Sequence, residues 1–300
     1  MSNSLIEEKR IMVKIVCYNI TLLFMVVFSA QSGLALATAK PLIVTSTKSL
    51  AIIAKSAVAN TAAVEYLIPA NQSPHDYPLP VSAMEKIDKA DLVIWIGPDF
   101  EIRGAKAMAK VAEVKLITAI NLITHTATQD PSENLHAHSH HDMTNDMHVW
   151  LNPYNGNQIG HEIQKRLNLP NRDIISQQEL DKLSAEMVSA RSTTYISHHD
   201  AYNHFIQAFA LRAGLSIRGA HGGAKGLKTQ YQLRKTITET NVSCILVEPH
   251  YGIKDVKLIA EEFNLPIIDF DTQGLSQPLT SHGYFEFISS LVTQFKACSG

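Results

Sequence analysis

The chain is 300 residues long, 45% hydrophobic and 18% charged, with 26 Lys and Arg against 28 Asp and Glu for a formal net charge of −2. Its length leaves room for two ordinary domains, and its composition excludes a disordered chain, a collagen or a disulfide-dense miniprotein. The near balance of charge gives no electrostatic reason to expect nucleic acid or an anionic membrane surface as partner, and the unusual count is histidine, at 14.

At the N-terminus, Lys9, Arg10 and Lys14 precede an apolar stretch from Ile15 to Ala30, and Ala35-Leu36-Ala37 follows. Basic region, apolar core and small-residue exit read as a secretory signal peptide over residues 1–37. The alternative is an uncleaved anchor, for which the apolar core is short against a span of roughly 20 residues. Past residue 37 remain all the histidines and two cysteines, Cys244 and Cys298. An even pair in an exported chain reads as one disulfide, with two unpaired buried thiols as the alternative.

In chain order, a strand is expected at Leu42–Thr45, a helix at Leu50–Asn60, a strand at Val64–Ile68, a helix at Val81–Lys89 and a strand at Leu92–Ile96. A helix at Glu101–Val111 and a strand at Lys115–Thr118 follow, then helices at Asn157–Leu167 and Ile175–Ala190. Beyond them come a strand at Thr193–Ser197, helices at Ala201–Ala208 and Lys228–Glu239, and a strand at Cys244–Val247. A helix at Ile253–Phe263, a strand at Pro266–Phe270 and a helix at Tyr284–Phe295 complete the chain. Alternation of this kind predicts an α/β fold of mainly parallel sheets covered by helices. The helix at Ile175–Ala190 falls mid-chain, where it would join two α/β lobes.

Functional groups in such sheets gather past the carboxyl ends of the strands. His75 lies soon after one predicted strand, His199 where a strand gives way to a helix, and Asp269 and Asp271 at the end of the strand Pro266–Phe270. His148 lies in Asp146-Met147-His148-Val149-Trp150-Leu151-Asn152-Pro153. Three histidines and a carboxylate can therefore converge on one cleft from both halves of the chain. His198 and His199 are neighbours on a strand and point to opposite faces, so at most one faces that cleft. The stretch from His125 to His148 is dense in histidine, and His136, His138, His140 and His141 sit in a segment with little to bury. Short histidine-rich tracts of this type bind zinc weakly, because their rings have no fixed supporting partners.

The motifs Ser73-Pro74-His75-Asp76-Tyr77, Ala90 to Pro98, the His-rich loop, Asp146 to Pro153, His199-Asp200-Ala201-Tyr202 and Cys244 to Pro249 occur in this order. Together they resemble the ZnuA-type periplasmic zinc-binding proteins of bacterial high-affinity zinc ABC transporters, within the cluster A-I solute-binding proteins. The resemblance runs from about Pro41 to Cys298. It implies two α/β lobes joined by one long helix, with the metal in the cleft between them: an N-terminal lobe over 38–170 including the His-rich loop 125–147, a joining helix over 171–192 and a C-terminal lobe over 193–300. It also implies zinc held by His75, His148 and His199, with Asp271 or water in the fourth position and a Cys244–Cys298 disulfide. The expected setting is the periplasm, and the expected partners are zinc and a membrane permease with its cytoplasmic ATPase. A monomer is expected, and no nucleic acid. The glycine-rich segment from Arg218 to Lys228 departs from the family pattern and has no functional reading at this level.

Two other readings compete. A secreted zinc hydrolase also uses three histidines and an open water position, but neither Glu248 nor Asp200 lies in a hydrolase motif such as H-E-x-x-H. A manganese or iron carrier of the same transporter family calls for harder oxygen donors than the nitrogen that His199 supplies. The sequence therefore favours a binding protein over an enzyme, with zinc as its ligand.

Overall fold

The computed structural model describes Met12 and residues 39–123, 146–249 and 252–299. The expected signal peptide otherwise lies outside the described residues, as do His136, His138, His140 and His141. From Lys40 onward the chain forms one compact unit, built on two four-stranded sheets in which every pairing is parallel.

The first sheet has the order β2-β1-β3-β4, with β1 at Leu42–Thr45, β2 at Ala63–Tyr66, β3 at Leu92–Trp95 and β4 at Leu116–Thr118. The second has the order β6-β5-β7-β8, with β5 at Tyr195–His199, β6 at Leu215–Arg218, β7 at Cys244–Val247 and β8 at Ile267–Asp269. Parallel strands covered on both faces need continuous apolar runs. Leu-Val-Ile-Trp in β3 and Cys-Ile-Leu-Val in β7 are such runs, and both are buried throughout. The crossovers carry helices α1 (Lys48–Val58), α2 (Val81–Lys89) and the short α3 (Ala105–Met108) in the first half of the chain. In the second half lie α6 (Asn203–Phe209), α7 (Leu227–Glu239), α8 (Lys254–Phe263) and the C-terminal α9 (Gly283–Lys296).

Between the sheets run α4 (Pro153–Arg166) and α5 (Gln177–Glu186). Asn152 caps α4 by accepting from Tyr154 N, and Pro153 opens its first turn, where a missing N–H costs nothing. Of the segment expected as helix over Ile175–Ala190, the α-helix occupies Gln177–Glu186 and a 3-10 turn follows at Val188–Ala190. The start is set by Asn157, whose Oδ1 accepts from Ile174 N and Ile175 N, both at 3.0 Å, and by a Ser176–Glu179 capping box.

One hydrophobic core runs through both lobes. It joins Ile43, Leu50 and Ile94 of the first to Leu246 and Phe270 of the second, and α9 contributes Tyr284, Phe287, Ile288, Leu291 and Phe295 to it. Tyr284 Oη donates to Trp150 O (2.8 Å) and Asn152 O (3.2 Å), while Trp150 Nε1 donates to Thr272 O (2.7 Å). The last helix of the chain thus fastens the two halves together. A Cys244–Cys298 disulfide, closing 54 residues, ties the end of α9 to β7.

Three sequence expectations are corrected. The helix expected over Glu101–Val111 is reduced to Ala105–Met108, because Glu101 turns inward and accepts from Ile96 N and Gly97 N. The strand expected at Thr193–Ser197 lies two residues later and so carries His198 and His199. Strand β6 was not expected at all; Leu215–Arg218 is an edge strand between Gly214 and Gly219.

Candidate metal centre

His75, His148 and His199 meet in the cleft, each offering a nitrogen within 4.8 Å of the others'. His75 comes from the loop after β2, His148 from the residue before the 3-10 turn that leads into α4, and His199 from the carboxyl end of β5. All are buried, at 2%, 3% and 1% exposure, against an apolar wall. Phe100 lies 4.5 Å from the His75 ring and 5.2 Å from His148, and Trp150 is 5.1 Å from His148.

Two carboxylates orient two of the rings. Asp146 Oδ1 is 2.7 Å from His148 Nδ1 and also accepts from His148 N at 2.9 Å. Glu248 Oε1 is 2.6 Å from His199 Nδ1, and its two oxygens accept from Tyr202 Oη (3.0 Å) and Thr272 Oγ1 (3.2 Å). For His148 the hydrogen bond to Asp146 places the proton on Nδ1 and leaves Nε2 as a lone-pair donor. The two Nε2 atoms face each other at 3.3 Å. That spacing suits an N–H···N hydrogen bond in one tautomer and a shared cation when both Nε2 atoms carry lone pairs. Zinc–nitrogen bonds of about 2.0–2.1 Å at a tetrahedral angle put the two nitrogens about 3.3–3.4 Å apart, so the observed spacing fits tetrahedral zinc.

Burial pushes the His75 imidazole down to about 2, helped by the neighbouring His148, His199 and His221, and its Nδ1 is buried without a hydrogen-bond partner. Burial likewise lowers His148, against the pull of Asp146. Burial alone would raise Asp146, but the hydrogen bond and charge of His148 hold it well below the usual carboxylate range. His75 and His148 are therefore neutral near pH 7, as metal ligation requires.

Residues 43–298 match the family model of the zinc-uptake complex component A, periplasmic, ZnuA. The chain belongs to the ZnuA family. Among its relatives, the high-affinity zinc uptake system protein ZnuA of Yersinia pestis is 26% identical over 287 residues, spanning 85% of this chain and 90% of that protein. The protein of the same name from Haemophilus influenzae is 24% identical over 310 residues, spanning 85% and 92%. In fold the chain is similar to the periplasmic zinc binding protein TroA from Treponema pallidum, with a TM-score of 0.71 at 18% identity over 87% of this chain and 100% of TroA. A crystal structure of ZnuA gives a TM-score of 0.68 at 18% identity over 87% and 100% of the two chains.

The expected fourth ligand of this ZnuA-family site, Asp271, does not join the three histidines. Its carboxylate accepts from Leu275 N (2.9 Å), Ser276 N (3.2 Å) and Ser276 Oγ (3.3 Å), and so organises a turn in which Gly274 adopts φ +67. Asp followed by Gly in a turn is that chemistry. His198 points to the opposite face from His199, with Nε2 3.8 Å from Asp255. Sequence reasoning missed the parts played by Asp146, Glu248 and Phe100. The one local signal was Asp146 two residues before His148, close enough for its carboxylate to reach the ring's Nδ1.

Proposed function

We propose that this chain captures a zinc ion between its lobes with His75, His148 and His199 and delivers it to an ABC-transporter permease powered by a cytoplasmic ATPase. It works as a monomer in the periplasm, exported by the leader over residues 1–37, and the ion is its cargo. The observation that carries the reading is the pair of facing Nε2 atoms, 3.3 Å apart, each on a ring with a carboxylate oxygen 2.6–2.7 Å from its Nδ1. A catalytic role has no support in the cleft, because Glu248 is committed to His199, Tyr202 and Thr272 and is not available as a base for bound water. The segment with His136, His138, His140 and His141 serves as an auxiliary, weaker zinc-collecting loop.

Metal analysis and competition titration of the mature chain test this. One tightly bound zinc per chain is expected, and His75→Ala, His148→Ala and His199→Ala each lower its affinity by about a hundredfold or more, beyond what loss of a supporting partner costs. Replacing His136, His138, His140 and His141 together changes the tight affinity by less than about threefold, well under 1.4 kcal/mol. Equal losses from both sets would place the tight site in the loop and overturn the assignment.

A further inference from the structure

The glycine-rich turn after β6 carries His221 to the exposed side of the three-histidine cluster. The His221 ring lies 5.5 Å from His75, at an interplanar angle of 86°. His75 and His148 are separated by the same 5.5 Å, and His75 and His199 by 6.1 Å. A fourth imidazole, from the C-terminal half, therefore stands as close to His75 as its two partners in the cluster do, although its nitrogens lie outside the 4.8 Å group and must approach to join it. It differs from them in being exposed.

The backbone of the turn is hydrogen-bonded from base to tip. Arg218 bridges to Ala224, donates from Nη1 to Gly222 O (3.1 Å) and pairs through Nε with Asp255 (2.7 Å). Gly219 N donates to Gly223 O at 2.9 Å, and Gly222 N to Gly219 O at 2.8 Å. Gly222 needs its lack of a side chain, at φ +72. The other glycines do not: a Cβ at Gly223 or Gly226 would meet nothing within 4 Å, and one at Gly219 would meet only Gly223 O at 3.9 Å. Glycine without a steric reason adds backbone freedom. The exposed His221 side chain can re-aim by a change of rotamer while the turn stays fixed on Asp255.

We propose that His221 is the fourth zinc ligand, closing from the turn onto the ion held by His75, His148 and His199 and completing a four-nitrogen tetrahedral site. The proposal rests on the zinc-capture reading above. Four-coordination is what closed zinc sites adopt, and the three buried rings supply three donors. An exposed donor at the rim is the first group an arriving ion meets and the first to let go, which a carrier that must release its cargo requires.

X-ray absorption of the zinc-loaded mature chain should fit four imidazole nitrogens, and that of His221→Ala three nitrogens and one oxygen. His221→Ala should lower zinc affinity and speed zinc loss to a chelator, each by about tenfold to a hundredfold. Its metal-free melting temperature should not move, because His221 is exposed. Three imidazoles in the parent chain, or an affinity and release rate unchanged in His221→Ala while His148→Ala loses zinc, would overturn this proposal and leave the function standing. A parent chain that binds no zinc would overturn both.

Discussion

Asp146→Asn removes one charge at nearly constant volume and tests whether the carboxylate sets the His148 tautomer. Oδ1 takes the His148 main-chain N–H at 2.9 Å and the ring Nδ1 at 2.7 Å, and Oδ2 takes Asn203 N at 2.9 Å, at the start of α6 in the other lobe. Every partner is an N–H when the ring proton sits on Nδ1, so an acceptor-only group satisfies all of them. An amide has one acceptor and one NH2. With its nitrogen toward His148, the ring must move its proton to Nε2, where it blocks the metal. With its nitrogen toward Asn203, the ring keeps its tautomer but the first turn of α6 faces a donor. Loss of such a partner costs about tenfold to a hundredfold in metal affinity, or about 1.4–2.7 kcal/mol. Loss of a charged acceptor costs about 1.5–3 kcal/mol of metal-free stability. Competition against a chromophoric chelator reads the first quantity, and denaturant unfolding of the metal-free chain reads the second. A zinc affinity within about twofold of the parent, a difference far below 1.4 kcal/mol, would refute the tautomer argument.

Reduction of Cys244–Cys298 should lower the melting temperature and leave zinc affinity nearly unchanged; closing a loop of 54 residues corresponds to about 4 kcal/mol in the chain-entropy account. A reduced protein that loses zinc in step with its disulfide would contradict this. Gly156→Ala should destabilise the chain by about 1–3 kcal/mol despite the gain in helix propensity, because its Cβ would fall 2.1 Å from Tyr284 Cε1 where α9 fastens the lobes; a raised unfolding midpoint in urea would contradict it. Burial pushes the Glu101 carboxyl up to about 7, against hydrogen bonds from Ser46, Gly97 and Ile96 that hold it down. A carboxyl raised in the fold is fully stabilising below its unfolded value and loses that contribution as pH rises through about 7. The stability of the metal-free chain relative to Glu101→Gln should therefore fall by about 3 kcal/mol between about pH 4.5 and 7, and a difference that stays flat over that range would disprove it.

What the sequence made legible depended on how local the determining physics is. Leu42–Thr45 and Cys244–Val247 appear residue for residue as read, since an unbroken run of apolar and β-branched residues is itself the condition for a strand covered on both faces. Val81–Lys89 is equally exact. Strand β6 was hidden because Leu-Ser-Ile-Arg is short, paired on one side only and flanked by glycines. That α9 packs on α1 in the first half was equally hidden; periodicity shows which face of a helix is apolar, not which lobe will cover it. That His75, His148 and His199 come together was legible because strand ends and motif order both pointed to them. Glu248, 49 residues from His199 along the chain, could not be assigned to that ring until β5 and β7 were seen to be neighbours. Asp271 was open to two readings, because an aspartate just past a strand reads equally as a ligand or as a turn former, and here its carboxylate accepts from the N–H groups of Leu275 and Ser276.

Neutral donors alone do not explain selective capture, because imidazole nitrogens favour copper over zinc in raw affinity. Discrimination has to come from geometry, and here geometry is held at two scales. At the site, Asp146 and Glu248 stand against two rings whose Nε2 atoms match a tetrahedral edge, and their two negative charges offset those of a divalent ion brought into a buried cleft. A tetragonal ion would need those rings to turn, at the expense of the carboxylate contacts. At the scale of the fold, Asp146 reaches from the residues before α4 to Asn203 in the second half, and His204 Nε2 lies 2.9 Å from Asp146 O. The relative position of the halves thus enters the spacing of the Nε2 atoms. That position is set by a core continuous across both lobes and by Tyr284 and Trp150, whose hydrogen bonds cross between them. Packing far from the metal therefore acts on selectivity through a distance of 3.3 Å.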